Sequence, residues 1–163
     1  MSNDWIDQNI PEDVIGVVVR VHVKLSGGKE ISRDFRSDLN IDYDSLEDQL
    51  RTTPSIYAYW AMVLSEQKTV VGVLDRKIKR RRAIVADTVI KTAKAQGTKL
   101  SATDVKELVE SDEDLEKIEA EYLIAQRASG KLYHIVEAIK MKSEHLRSLA
   151  GFKRQELRDA GGQ

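Results

Sequence analysis

Six cationic side chains lie within seven consecutive positions of the sequence, and only Ile78 interrupts them. Arginine guanidinium groups form bidentate hydrogen bonds with phosphates and stack on unpaired bases. This basic cluster therefore predicts a surface for a polyanion, with nucleic acid as the first candidate. Its members, all candidate nucleic-acid-binding residues, are Arg76, Lys77, Lys79, Arg80, Arg81 and Arg82.

An acidic segment from Asp112 to Glu121 offers a second explanation of the basic cluster. The net charge is -6 over residues 1–50, +8 over 51–100, -6 over 101–130 and +3 over 131–163, although the whole chain carries only -1. Exposed charge runs are often solvated or paired surfaces, so the cations could pair with these acids instead of a ligand. The sequence leaves both interpretations open.

Other chemistry finds little support. The chain has no cysteine, which excludes disulfides and thiolate metal sites, and His22, His134 and His145 are isolated from other potential ligands. No nucleophile stands in a pattern with a base and an orienting partner. We therefore predict no catalytic residue, no metal site, no cofactor and no enzymatic activity. No signal-peptide pattern and no apolar stretch near the ~18 residues of a membrane span are present, which indicates an intracellular protein without a membrane partner.

The N-terminal part predicts a small β-hairpin at residues 17–36. Residues 17–25 alternate, with Val19, Val21, Val23 and Leu25 on one side, which is typical of a strand. Gly27 and Gly28 follow and can supply the positive φ angles of a tight turn. An isolated hairpin is marginally stable, so this one must pack on helices or on another subunit.

The rest of the chain predicts helices. Asp44 and Glu47 have the spacing of a capping box before a short helix. Thr53 as N-cap and Pro54 at the first position predict a long helix that ends near Gln96–Gly97. A short helix over residues 102–110 follows with Ser101 as its cap, and Ser111 is predicted to cap a last helix that Gly161 and Gly162 close.

The last helix carries a coiled-coil pattern. Its apolar register advances by three and four residues from Leu115 to Leu157, which is a period of 3.5 held over six heptads. A helix of that length spans ~65 Å, more than a compact domain of this size covers, so its partners are the long helix before it and other copies of the chain. The predicted oligomerisation residues are Leu132, Val136, Ile139, Leu146 and Leu149.

Together these elements predict a mainly α fold with a small N-terminal β-hairpin. We expect the long antiparallel helices to share a coiled-coil seam and to assemble into a homo-oligomer of more than four subunits. Residues 1–50 form an N-terminal region with the hairpin and a short helix, and residues 51–163 form a helical region for DNA binding and oligomerisation.

Three short segments follow one another along the chain: Tyr57 and Trp60 open the basic helix, "SDEDLEKI" opens the last helix, and "EAIKMKSEHLRSLAGF" lies near its end. In this order they resemble the UvsY-like family, the recombination mediator proteins of tailed phages. The resemblance covers roughly residues 55–155. The matching positions in the second and third segments are Asp112, Asp114, Leu115, Lys117, Ile118, Ala138, Ile139, Lys140, Lys142 and Leu146.

The resemblance implies a ring-like helical homo-oligomer that binds single-stranded DNA in recombination and repair. Such a mediator destabilises the complex of that DNA with single-strand-binding protein and helps to load a RecA-like recombinase, here in the cytoplasm of a phage-infected bacterium. The family's DNA-binding Lys and Arg correspond to the basic cluster. A structural or chaperone-like helical oligomer for phage assembly, without nucleic-acid binding, is the alternative, as is a scaffold for protein partners. The role of the hairpin stays open, as does the choice between base stacking and core packing for Tyr57 and Trp60.

Overall fold

The structure, a computed structural model, describes residues 20–25 and 28–161. Helices dominate it, with one two-stranded antiparallel sheet at the N-terminal side, which confirms the predicted mainly α fold with a small β-hairpin. No helix of the described residues is both long enough and apolar enough to cross a bilayer. The elements are β1 (Arg20–Lys24), β2 (Glu30–Asp34), α1 (Arg36–Leu39), α2 (Leu46–Ala95), α3 (Ala102–Glu110) and α4 (Glu113–Gly161).

The two long helices pack against each other in antiparallel register. Ile78 of α2 lies in one apolar cluster with Leu115 near the start of α4. Nearer the start of α2, Gln67 donates from Nε2 to the carbonyl oxygen of Ala125 over 3.0 Å. Trp60, still earlier in α2, lies in the main core with α4 residues further along. That core joins β1, α2 and α4 and contains Val21, Val23, Trp60, Val63, Leu64, Leu132, Ile135, Val136 and Ile139.

This register leaves the end of α4 without a partner in the part of the chain that the structure describes. Leu46, 21 residues before Gln67, falls opposite residue 146, which is 21 residues after Ala125. Since α2 begins there, α4 extends beyond it, and residues 151–160 are all exposed. At the other end, α3 folds back on α2 and places Val109 in the cluster with Ile78.

The predicted seam of α4 is therefore buried only as far as α2 accompanies it. Leu115, Ala125, Leu132, Val136, Ile139 and Leu146 are buried, whereas Leu157 is 66% exposed. Four of the five predicted oligomerisation residues thus lie in the core of the single chain, and only Leu149 is half-exposed. Their part in assembly stays a prediction.

The hairpin packs on the helices, as its marginal stability required. Val21 and Val23 are buried against α4 and pair across the sheet with Arg33 and Ile31. Gly28 has a φ of +81°, the left-handed conformation for which glycine has no steric cost. The predicted strand residues 17–19, together with Ser26 and Gly27 of the turn, lie outside the described residues.

A buried polar group at Asp38 joins four elements. Its carboxylate accepts from Nε1 of Trp60 and from Nη2 of Arg33, each over 2.9 Å. Nζ of Lys142 in α4 donates to the backbone carbonyl oxygens of Asp38, over 3.0 Å, and of Asn40, over 2.6 Å. Burial lowers the pKa of Lys142, and the charge of Asp38 opposes that shift. These bonds attach β2 and α1 to both long helices.

The start of α2 corrects the predicted boundaries. The short helix after Asp44 and the long helix after Thr53 are one continuous helix that begins at Leu46, so the division predicted after residue 50 falls inside it. Pro54 has no N–H to donate to the carbonyl four residues back, yet the helix continues. Thr53 is buried, and its Oγ1 donates to the carbonyl oxygen of Gln49 over 2.6 Å. Tertiary packing here overrides the local helix-start signal.

The caps of the last two helices are partly as predicted. Ser101 caps α3 in a reciprocal capping box with Asp104, which confirms the prediction. The cap of α4, however, is Asp112 and not Ser111, because Oδ1 of Asp112 accepts from the backbone N–H of Leu115 over 2.8 Å. Ser111 instead ends α3. A carboxylate at this position also interacts favourably with the helix dipole.

The Lys142 contact yields a stability prediction. Lys142→Met leaves two carbonyl oxygens without their donor, so we expect it to lower the free energy of unfolding by about 1–3 kcal/mol. The matched control is Lys140→Met, because Lys140 is exposed on the same helix; its effect should stay within about 0.5 kcal/mol. Urea denaturation measures both, and equal values for the two variants would contradict the assigned role.

Candidate nucleic-acid interface

The basic cluster lies in the middle of α2, where Ile78 points into the core. Successive side chains on a helix are rotated by about 100°, so six neighbouring cations cannot all face the same way. The core position of Ile78 decides which of them face the rest of the fold and which face outward. The cluster is thereby divided into two groups.

Arg81 faces the start of α4 and is paired there. Its Nε and Nη2 donate to the two carboxylate oxygens of Asp112 over 2.8 and 2.7 Å, and Nη2 also lies 3.1 Å from Oδ2 of Asp114. This bidentate geometry is the strong form of an arginine–carboxylate contact. Asp112 thus caps α4 and holds Arg81 with the same carboxylate.

Two further members of the cluster pair with acids of the same chain. Nη2 of Arg82 lies 2.6 Å from Oε1 of Glu119 in α4, and Nζ of Lys79 lies 2.8 Å from Oδ2 of Asp75, one turn earlier in α2. Both pairs are largely exposed, so solvent and salt weaken them. Pairing with the acidic segment, which the sequence left open, is therefore observed for Arg81 and Arg82.

The remaining cations, Arg76, Lys77 and Arg80, are exposed and form no ion pair with any residue that the structure describes. Lys77 and Arg80 share a face with Val73 and Ile84, since the four follow a spacing of four, three and four residues. We call Val73, Arg76, Lys77, Arg80 and Ile84 the outer stripe. Val73 is 36% and Ile84 49% exposed, so apolar surface lies between and beside the charges.

The outer stripe has the chemistry of a flexible polyanion site. Three cations can contact phosphates, and the two aliphatic side chains can contact bases or sugars without sequence preference. The described part of the chain contains no group of three or more His, Cys, Asp or Glu side chains that could hold a metal ion. The stripe is an open helix face rather than a pocket.

The two aromatic residues at the start of the basic helix have different environments. Trp60 is fully buried, its indole N–H is bonded to Asp38, and its ring makes edge contacts with Phe35 and Tyr59. It belongs to the core and has no face free for a base. Tyr57 is 40% exposed. It lies about five helical turns from the basic cluster, at 3.6 residues per turn.

The sequence alone did not reveal the division of the basic cluster. Ile78 was the signal that could have revealed it. This apolar residue continues the α2 register toward Val85, so it marks the side of the helix that faces the core. Arg81 and Arg82 flank that direction, whereas Arg76 and Arg80 lie opposite it. The position of Asp112 could not be inferred in this way, since it depends on the turn between α3 and α4.

The pairing of Asp112 predicts a pH dependence of stability. The hydrogen bond from Arg81 is the main cause that lowers the pKa of Asp112 from its ordinary value of 3.8, with a smaller contribution from the N–H of Leu115 and an opposing one from desolvation. A lowered folded-state pKa stabilises the fold above the unfolded value, and this contribution is lost as the pH falls through the folded value.

Asp112→Asn keeps an N-capping side chain but loses the charge. We expect it to lower the melting temperature at pH 7, and we expect the difference from the wild type to shrink toward zero as the pH falls below 3.8. Asp44→Asn, at an exposed position before α2, serves as the control with no such trend. A difference that is independent of pH would show that the charge of Asp112 contributes nothing.

Comparison with known proteins supports the fold. The sequence matches no protein-family model, and no curated protein sequence shows significant similarity to it. Among solved structures, the fold is similar to that in the crystal structure of the bacteriophage T4 recombination mediator protein UvsY. The TM-score is 0.60 at 16% sequence identity, and the match covers 75% of this chain and 92% of that chain. At this identity the similarity establishes a shared fold.

Proposed function

We propose that this protein is a recombination mediator that binds single-stranded DNA. It would act in the cytoplasm of a phage-infected bacterium, on DNA covered by single-strand-binding protein, and help a RecA-like recombinase to load. The observation that carries the proposal is the outer stripe, on a fold shared with a phage recombination mediator. The proposal gives the chain no catalytic step.

The binding mode follows from the charges of the outer stripe. Each chain presents three cations outward, and several chains in one assembly would join them into a longer positive track. A single strand is flexible enough to follow such a track with its phosphates. Because each chain contributes few contacts, affinity would be moderate and sensitive to salt, which suits a protein that must pass the strand on.

A structural or assembly role without nucleic acid is the second candidate. The observation that favours it is the pairing of Lys79, Arg81 and Arg82 with acids of the same chain. In that case the basic cluster would mainly fasten α2 to α4. The two candidates make opposite predictions for the two groups of cations, which the next experiment uses.

We expect the triple change Arg76→Ala, Lys77→Ala and Arg80→Ala to weaken binding of a labelled single-stranded oligonucleotide, measured by fluorescence anisotropy. The slope of log affinity against log salt should become shallower by about 2 for each chain in contact, since each released phosphate contributes about 0.7. The loss should be similar for all sequences, because phosphate contacts carry no base information. The melting temperature should hardly change.

Two controls separate charge from position. The first control is a triple variant that removes three exposed cations elsewhere: Lys68→Ala, Lys140→Ala and Arg147→Ala. Its slope of log affinity against log salt should stay close to that of the wild type. Arg81→Ala with Arg82→Ala should lower the melting temperature and leave the slope nearly unchanged, because these arginines are paired with acids. Unchanged DNA binding by a folded triple variant of the outer stripe would overturn the proposed interface.

Assembly is the second part of the proposed function. The predicted seam residues Val136 and Ile139 are core residues of the single chain, so aspartate at either position would unfold it before it tested assembly. The end of α4 is different, because Phe152 and Leu157 are 69% and 66% exposed and have no partner in α2. We propose that this overhanging end, with the half-exposed Leu149, contacts other copies of the chain.

The wild type should form a homo-oligomer of more than four subunits in light scattering at micromolar concentration. Phe152→Asp with Leu157→Asp should yield smaller folded species, since charges placed in an apolar contact carry a large desolvation cost. Tyr133→Asp, at an exposed position on another side of α4, is the control and should keep the full mass. A monomeric wild type would refute the assembly proposal.

A further inference from the structure

The outer stripe has a complementary segment within its own chain. We propose that residues 1–16, which precede β1, bind the outer stripe and compete with nucleic-acid phosphates for its cations. The contact itself depends only on the stripe and on this segment. Its role as a competitor rests on the proposed DNA-binding function.

Charge complementarity is the first argument. Residues 1–16 contain four acidic residues and no lysine or arginine. The outer stripe presents three cations that form no ion pair within the described part of the chain, whereas Arg81 and Arg82 are already matched by carboxylates of α4. The chain therefore matches half of its basic cluster with described acids. Its acidic run from Asp38 to Asp48 lies around the start of α2, about 40 Å or more from Arg76 at 1.5 Å per residue, whereas residues 1–16 hold four further acids. The four acids are Asp4, Asp7, Glu12 and Asp13.

Apolar side chains on both partners are the second argument. The segment carries Trp5, Ile6 and Ile10 among its acids. The outer stripe carries exposed Val73 and Ile84 beside its cations. A mixed acidic and apolar segment on a mixed basic and apolar helix face combines ion pairs with burial of apolar surface, which makes the contact less sensitive to salt than charges alone.

The length of the segment is sufficient. Strand β1 begins at Arg20 and packs in the core that contains Trp60. Arg80 lies 20 residues further along α2, which is about 30 Å at 1.5 Å per residue. An extended chain spans about 3.3 Å per residue, so Asp7 reaches about 43 Å from Arg20 and Asp4 about 53 Å. The first acids can therefore reach the stripe of their own chain.

Competition would follow directly from the shared cations. A carboxylate and a phosphate cannot occupy the same guanidinium donors at once, so the segment lowers the fraction of chains that are ready for DNA. A strand that engages several chains together would displace the segments more readily than a short one, because its contacts are linked. The segment would thus favour long single strands over short fragments.

Carbodiimide cross-linking tests the contact without DNA. This reagent joins a carboxylate to a lysine amine that it touches, and mass spectrometry identifies the joined peptides. We expect residues 1–16 to couple to Lys77 at least about fivefold more often than to Lys68, which is exposed on the opposite side of α2. The products should have the mass of one chain. Equal coupling to the two lysines, or coupling between chains only, would overturn the proposed contact.

Neutralising the segment tests the competition. The variant Asp4→Asn, Asp7→Asn, Glu12→Gln and Asp13→Asn keeps the length and the apolar residues. If the segment covers the stripe about nine-tenths of the time, the variant should bind a short oligonucleotide about tenfold more tightly at low salt. The gain should be smaller for a long oligonucleotide. The matched control changes four exposed acids elsewhere in the chain to their amides and shifts the net charge equally; these are Asp44, Glu47, Glu107 and Glu144.

The outcomes separate this inference from the proposed function. Equal affinities of the neutralised variant and the charge-matched control would overturn the competition, although DNA binding would stand. Preferred coupling to Lys77 without any oligonucleotide binding, in the wild type and in the neutralised variant alike, would support the contact and overturn the DNA-binding proposal. Loss of the preferred coupling to Lys77 on addition of oligonucleotide would support both.

Discussion

The antiparallel register of α2 against α4 is the constraint on which the rest of the structure depends. It places Arg81 and Arg82 opposite Asp112 and Glu119, and it turns the other cations of α2 away from the fold. It also determines that α4 extends beyond α2, because α2 begins at Leu46. A shift of one heptad would break the ion pairs and leave the α4 cap unsupported.

Apolar seams alone specify a register poorly, since one heptad of aliphatic residues resembles the next. Polar contacts in the core supply the difference. Gln67 reaches the carbonyl of Ala125 in one alignment only. Lys142 reaches the carbonyls of Asp38 and Asn40 only when the segment that follows the hairpin packs on α4. Such groups add little net stability, but a misaligned state would leave them buried without partners. We infer that they select the observed alignment.

The sequence predicted the elements better than their ends. Periodicity identified the hairpin, both long helices and the seam because those signals come from many residues that share one buried face. The break predicted before Pro54 was wrong, since local start signals yield to packing around Thr53 and Trp60. Burial of the seam at Leu157 by other copies of the chain stays a prediction, because a 3.5-residue pattern shows that a face is apolar and not which partner covers it. The cap at Asp112 depends on the conformation of the turn after α3, and hydrophobic periodicity carries no information about that turn.

The division of the basic cluster explains how a nearly neutral chain can hold so dense a run of cations. Like charges one turn apart repel weakly, by tenths of a kcal/mol for each pair. Carboxylates from Asp75, Asp112 and Glu119 relieve that repulsion on the flanks and the inward side of α2. Within the described chain, the three cations on the outward side form no ion pair, so three cations rather than six would be available to the proposed polyanion. Half of the cations in the basic cluster are thus paired with carboxylates of the same chain, and the register of the two long helices determines which of them are paired with α4.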